Sequence, residues 1–459
     1  MHRFLLAVTC LFLAASARAD DWPQFLGPKR DGVWREEGIL DRFPAGGPKE
    51  VWRHPIGMGY AGPAVANGKV YLLDRFLGRG EKLPASAFDR AKLGGSERVV
   101  CLDQKTGKQI WKHEYPCAYT VSYAAGPRCT PTVDGDRVYA LGAMGDLTCL
   151  DANVGKVMWA KNFVADFDAT VPLWGFTCHP LVDGDKLICM AGGSKDRLVI
   201  AFDKMTGKVV WTSQSCQGDF GYNPPVIYEF GGRQQLIAWH TRAVTALDPE
   251  TGKRIWAVPY EVKSSLNVAM TRKVGDDGLF LTTFYKGSIF LKISATGAEV
   301  AWKSKAKGEM PNATTDLSSI MVTPFVDGDT VYGIGSYGEL RGLKASTGER
   351  LWATMKAIRG SRTPAKVAAK TGPDSSERWG CAFLTKQADR YWLFNEQGDL
   401  IIAKLSPTGY EELSRANIIK PTNAMVSKSR LVVWSPPAFA GKCVFVRNDE
   451  EVVCIALGK

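Results

Sequence analysis

One short unit recurs along this chain, and it restricts the possible folds more than any bulk property does. VCLDQKTGKQIW ends at Trp111, TCLDANVGKVMW at Trp159, IAFDKMTGKVVW at Trp211 and TALDPETGKRIW at Trp256. RGLKASTGERLW ends at Trp352, and FLKISATGAEVAW carries one extra residue before Trp302. A seventh copy, IAKLSPTGYEEL, has Leu413 where the tryptophan should stand, and Trp52 in PKEVWRHP is an eighth ending of the same kind. Successive endings lie 45 to 61 residues apart, the length of four short strands with their turns. A repeat of that period is one supersecondary unit that cannot bury its own apolar faces and must stack on neighbours. It predicts the blades of a β-propeller.

Each unit resolves in the same way. A strand begins near Pro131, Pro180 or Pro324, and a hairpin turn follows at Asp134-Gly135, Asp183-Gly184 or Asp327-Gly328. Such dipeptides supply the left-handed backbone that two-residue hairpins need. A second strand such as Arg137 to Leu141 leads through Met144-Gly145-Asp146 to a third, and Thr-Gly turns the chain into the fourth. Alternating apolar and polar residues fit packed sheets. The C-terminal runs Ser435 to Phe439, Lys442 to Arg447 and Glu451 to Leu457 make three strands without a Thr-Gly-Trp ending. The strand Lys49 to His54, which carries Trp52, supplies the missing fourth and closes the ring. The expectation is an all-β, eight-bladed propeller of four-stranded antiparallel blades over residues 49–459, sealed by its N-terminal strand.

Residues 1–19 read as a secretory signal peptide: a basic start at His2 and Arg3, an apolar run from Phe4 to Ala15, and Ala17-Arg18-Ala19 as the cleavage pattern. The chain is then expected to be exported, periplasmic or extracellular. Cys10 lies inside the apolar run, so no lipoprotein arrangement is expected, and no later stretch is apolar enough for a membrane span. The net charge of +11 becomes +9 without Arg3 and Arg18 (11 − 2). The basic residues are dispersed except between Ala357 and Lys370, which argues for solubility and not for a nucleic-acid partner. Residues 20–48 form an N-terminal extension. Two irregularities break the repeat: an insertion at residues 75–97 in the first blade, and a long connection at residues 357–380 between the sixth and seventh.

The recurring x-ALD-x-x-TGK-x-x-W pattern resembles the repeat of the pyrroloquinoline-quinone-like propellers, which include quinoprotein alcohol dehydrogenases and the BamB type of outer-membrane assembly protein. The opening DWPQFLGPKRDG, Asp21 to Gly32, also looks like the start of many exported members. The resemblance implies that Trp52, Trp111, Trp159, Trp211, Trp256, Trp302 and Trp352 are docking residues packed between adjacent blades. It also implies, for the dehydrogenases, a quinone held over calcium by acidic and amide ligands, an Asp base and often two adjacent cysteines. No two cysteines are adjacent here, and no Glu, Asn and Asp set falls on matching motifs, so no catalytic residue is assigned.

Ten cysteines remain beyond Cys10. Cys101, Cys149 and Cys454 occupy the small third-strand position filled by Ala201, Ala246 and Ala403, which marks them as buried small apolar residues. Cys129 and Cys178 share a second equivalent position, and Cys117 and Cys216 are the candidates for bridging. No spacing resembles a metal site, and the five histidines are scattered. The connections into the innermost strands form one mouth of a propeller channel, the place where a ligand site is expected. They carry Tyr60, Tyr123, Arg128, Trp174, His179, Tyr222, Asn223, Asn267, Trp379 and Trp434. The functional expectation is a monomeric, non-catalytic binding or scaffold protein, needing no cofactor, that takes an envelope protein or small-molecule ligand at this mouth. The alternatives are a quinone- and calcium-dependent oxidoreductase and a BamB-type assembly factor.

Overall fold

A computed structural model describes residues 20–216, 218–359, 378–427 and 430–459. The expected signal peptide and most of the 357–380 connection lie outside the described residues. Eight four-stranded antiparallel sheets form the ring. Their innermost strands, in blade order 1 to 8, are Ala64–Ala66, Thr132–Asp134, Leu181–Asp183, Val226–Phe230, Arg272–Val274, Phe325–Asp327, Ala382–Gln387 and Ala438–Ala440. In blade 8 the strand Glu50–Pro55 pairs with Glu451–Ala456, followed inward by Cys443–Arg447 and Ala438–Ala440. The ring is therefore sealed by the N-terminal strand, as the repeat count requires.

The repeated motif does its work at the interfaces between blades. Asp103 Oδ1 accepts from the backbone N–H groups of Lys105 and Thr106 and from the Thr106 hydroxyl, and Asp203 and Asp248 repeat the pattern. That side-chain turn leads into a glycine at positive φ, such as Gly107 at 68° and Gly207 at 68°. A Cβ on Gly107 would stand 2.5 Å from the Trp52 ring, and one on Gly207 would stand 2.7 Å from Trp159. Trp52, Trp111, Trp159, Trp211 and Trp302 thus each lie against a bare glycine of the next blade, while Gly409, beyond Trp352, meets nothing within 4 Å. The indole N–H donates to a carbonyl of the same turn: Trp52 to Gln104 (2.9 Å), Trp111 to Ala152 (3.1 Å), Trp159 to Lys204 (3.0 Å) and Trp211 to Pro249 (3.1 Å). Trp302 and Trp352 donate to Ala345 and Ser406 in the same way.

The small third-strand position faces the docking tryptophan. Cys101, Cys149, Ala201, Ala246 and Cys454 lie directly across from Trp111, Trp159, Trp211, Trp256 and Trp52, whereas in blade 5 Phe290 takes this place and stacks on Trp302. Cys129 and Cys178 make one shared contact too, each sulfur reaching a carbonyl of the following blade, Phe176 and Gly221. Neither Cys117 nor Cys216 is in a disulfide, the first lying in the core beneath the insertion and the second 3.4 Å from the Thr241 hydroxyl. The bridge considered for them is not formed.

Blade 5 departs from the rule because of its extra residue. Gly297 is not at positive φ and lies against no indole. Trp256 instead donates to Gln235 Oε1 (2.7 Å), and Gln235 Nε2 passes the link to the Ser294 carbonyl (2.8 Å). The side-chain amide spans the gap that the longer turn opens.

The insertion is shorter than residues 75–97. Strands Lys69–Leu77 and Gly95–Asp103 run on as a paired ribbon, with Arg75 opposite Glu97 and Leu77 opposite Gly95, so the loop proper covers 78–94. Arg75 and Glu97, which read as loop charges, are fully buried. Arg75 donates to the Leu93 and Gly94 carbonyls and stacks over Tyr119, while Glu97 accepts from Tyr115, Tyr119 and the Ala143 N–H. Among the described residues, no helix is long and apolar enough to cross a membrane.

The extension inside the channel

Residues 22–40 visit the blades in ring order. Trp22 exchanges two backbone hydrogen bonds with Val65 in blade 1, and the Pro23 carbonyl accepts from Val133 in blade 2. Arg30 donates to Pro180 (2.6 Å) at blade 3 and Pro225 (2.9 Å) at blade 4. Arg272 of blade 5 donates back to the Arg30 and Asp31 carbonyls. Gly32 and Trp34 bond to Lys386 in blade 7, and the Glu36 carboxylate accepts from Gly441 and Lys442 in blade 8. Between blades 7 and 8, where Leu413 replaces the docking tryptophan, Trp34 packs on Trp392 and Phe439, and Phe43 packs on Trp392. The extension supplies the aromatic filling that the seventh repeat lacks.

Candidate functional site

The channel is closed on the side of the inner hairpins by this extension and open at the connections into the inner strands. The open end is a cavity of about 490 Å³. Eight of the ten residues expected at the mouth line it: Tyr60, Tyr123, Arg128, Trp174, His179, Tyr222, Trp379 and Trp434. Asn223 and Asn267 do not. Both are buried in the connecting loops, where Asn223 Nδ2 donates to the Ala269 carbonyl (2.6 Å) and Asn267 Nδ2 to that of Trp239 (2.9 Å). They brace the mouth and are not part of its surface.

The structure adds three sources of aromatic lining that the repeat could not reveal. Phe25 of the extension forms the floor, stacked on His179 with ring centroids 4.0 Å apart. Phe88 of the 78–94 loop stands over the rim, 5.3 Å from Tyr123 and 6.3 Å from Trp379. Phe284 and Tyr285 come from the turn between two strands of blade 5. Of these, Phe88 alone, an aromatic within a polar insertion, stands where the sequence could have signalled it. Tyr123 and Trp379 hold their backbones at φ 54° and 66°, a conformation rare for bulky side chains and concentrated at functional sites.

Behind the rings lies a layer of carboxylates, each already engaged. Asp219 accepts from the Tyr222 hydroxyl (2.6 Å) and the Gly221 N–H. Glu396 accepts from Arg430 and from the Trp434 indole, and Glu309 from Arg378 (2.8 Å). These bonds set the ring orientations. Arg128 is fixed by the Ser122, Tyr123 and Gly126 carbonyls and lies over the Tyr60 ring. His179 Nδ1 accepts from the Thr130 N–H (3.0 Å), which places the imidazole proton on Nε2. Burial, aided by the Arg30 charge, pushes the His179 pKa down to about 3, so the ring is neutral. Burial pushes Tyr123 up to about 12 and raises Tyr60 and Tyr222 further.

A family model described as outer membrane protein assembly factor BamB matches residues 95–354 and 240–458. The chain belongs to this family. Over 146 residues it is 33% identical to the outer membrane protein assembly factor BamB of Salmonella typhimurium strain LT2, a stretch of 29% of this chain and 32% of that one. Over 141 residues it is 30% identical to quinohemoprotein alcohol dehydrogenase ADH IIB of Pseudomonas putida, 29% of this chain and 19% of the relative. The chain thus spans about a third or less of the length of these two relatives. A crystal structure of quinohemoprotein alcohol dehydrogenase from Comamonas testosteroni superposes with a TM-score of 0.60 at 14% identity, covering 97% of this chain and 82% of that one. At that identity the likeness concerns the fold.

The quinone and calcium implied by the dehydrogenase branch can be tested against the lining. Among the described residues the cavity presents no Asp, Glu, Asn or Gln, and no cluster of three or more His, Cys, Asp or Glu is placed to hold a metal. Calcium takes six to eight oxygen ligands, mostly carboxylates and carbonyls. The side chains here do not fit a calcium-bound quinone, and no step is derived through one.

Proposed function

We propose that the chain is an exported, ring-shaped binding protein that holds its ligand in the aromatic cup at the channel mouth and does no chemistry on it. One observation carries the reading: the cup is walled by rings from most blades, its described lining has no Asp or Glu, and burial holds its His179 neutral with a pKa pushed down to about 3. A general acid or base needs a pKa near the working pH. The test is calorimetric and absorbance titration with pyrroloquinoline quinone and calcium, followed by alcohol oxidation with an artificial acceptor. No turnover is the expected result; stoichiometric quinone binding with turnover overturns the proposal. The family description favours a second reading, an assembly factor whose occupant is an envelope protein. A pulldown from envelope extract that recovers a barrel-assembly protein supports it.

A further inference from the structure

We infer that the cup is built for a flat aromatic carboxylate held without a metal, an inference that rests on the cup being a ligand site. The shape of the demand comes from the walls. Trp174 and Tyr222 meet edge to face at 5.4 Å, and Tyr123 and Trp434 lie 6.1 Å apart at 33°. Phe25 closes the floor and Phe88 the rim. Such walls favour a conjugated ring system that stacks or meets ring edges.

The sign of the charge comes from what faces inward. Arg128 lines the cup, and its partners are backbone carbonyls; no carboxylate pairs with it among the described residues. Arg378 lies over Trp379 at 4.8 Å with its charge paired to Glu309, and Lys263, exposed beside the lining, lies over the Tyr285 ring at 4.6 Å. His179 Nε2 is a donor with no protein acceptor among the described residues. Asp219, Glu309 and Glu396 are not among the lining residues and are engaged by Tyr222, Arg378 and Arg430.

An aromatic box that carries the Arg128 charge with no carboxylate against it among the described residues disfavours a cation, although cation capture is the common use of such boxes. A sugar presents donors as well as acceptors, and the described lining has no Asp, Glu, Asn or Gln to take its hydroxyl protons. A neutral hydrocarbon leaves the Arg128 charge and the His179 donor unanswered, whereas a carboxylate accepts from both kinds of group.

The experiment titrates the mature chain with 2-naphthoate, its neutral isostere 2-naphthylmethanol, 2-naphthylmethylammonium and cyclohexanecarboxylate, reading tryptophan fluorescence and heat. Naphthoate is expected to bind at least about tenfold more tightly than the other three, with no change on adding EDTA and weakening at high salt. Phe88→Ala, in an exposed loop, is expected to weaken naphthoate about tenfold. Arg128→Gln is expected to abolish the preference for naphthoate over the alcohol. Because Arg128 also ties its own loop, Lys263→Gln at the rim provides the second variant, expected to reduce that preference in a chain that melts normally. Equal binding of naphthoate and the alcohol, preference for the ammonium, or loss of binding in EDTA overturns the inference while leaving the cup a binding site. Absence of binding by all four probes overturns both.

Discussion

At the scale of single residues, the contrast between two glycines isolates what the repeat encodes. Gly207→Ala introduces a Cβ at positive φ and 2.7 Å from the Trp159 ring, so strain and overpacking together are expected to cost about 2–4 kcal/mol. Gly297→Ala meets nothing closer than 3.6 Å and is expected to be neutral or slightly stabilising, within about 1 kcal/mol. Chemical denaturation of both variants checks this, and equal effects refute the docking account. The docking tryptophans were legible because a period exposes every copy at once. Asn223 and Asn267 were misplaced for the opposite reason: position beside an inner strand does not reveal which way a side chain turns, and both turn into backbone carbonyls. His179 gives a pH prediction. Its folded pKa of about 3 lies below the ordinary 6.5, so the unfolded chain takes up the proton first as pH falls. The stabilisation is complete above about pH 6.5 and is lost toward pH 3, at no more than about 1.4 kcal/mol per pH unit. His240, pushed down to about 4, adds the same sign, while the raised pKa of buried Glu97 opposes it. His179→Gln is expected to flatten the fall in Tm between neutral pH and pH 4; an unchanged slope removes His179 from the account.

Among the elements, blade 5 shows how one inserted residue is absorbed. Gln235→Met keeps the side-chain volume but removes both the acceptor of the Trp256 indole and the donor to Ser294. Each buried group left unpaired costs about 1–3 kcal/mol, so a loss of roughly 2–5 kcal/mol is expected by denaturation. The same substitution at an exposed glutamine such as Gln109 is expected to change little. A Gln235→Met protein as stable as the parent shows that the relay is ornamental. Nothing in the sequence announced this glutamine, because its partners lie in two different blades. The insertion in blade 1 was visible as a break in the period, but its limits were not. Arg75 and Glu97 read as surface charges, and only the three-dimensional pairing shows them buried against carbonyls and tyrosine hydroxyls. Strand ends set by such long-range partners carry no local signature.

For the whole molecule, the extension at residues 20–48 has no periodicity and so gave the sequence no way to declare its role, yet it ties the ring together. A propeller of repeats is held by nearest-neighbour interfaces, and its weakest interface sets its stability. Here that interface lies between blades 7 and 8, where Leu413 stands in place of a tryptophan and Trp34 and Phe43 fill the space from outside the repeat. The same segment contributes bonds to blades around the ring and the Phe25 floor of the cup. Two consequences can be separated. Phe25→Ala removes only the floor, so naphthoate binding is expected to weaken about tenfold with a small change in Tm. Arg30→Met removes the Arg30 donor from the Pro225 carbonyl and leaves that of Pro180 with the Thr132 hydroxyl, so Tm is expected to fall by several degrees, with ligand affinity lowered through the displaced floor. Deleting residues 20–48 behind an intact strand Glu50–Pro55 combines both effects, with Tm lowered by roughly 10 °C and the cup open to the far side of the channel. If the shortened ring melts with the parent and still holds naphthoate, the blades close by themselves and the extension is only a cover. If it loses both properties together, ring closure and ligand binding depend on one segment, and the cup exists only in a ring that the extension has sealed.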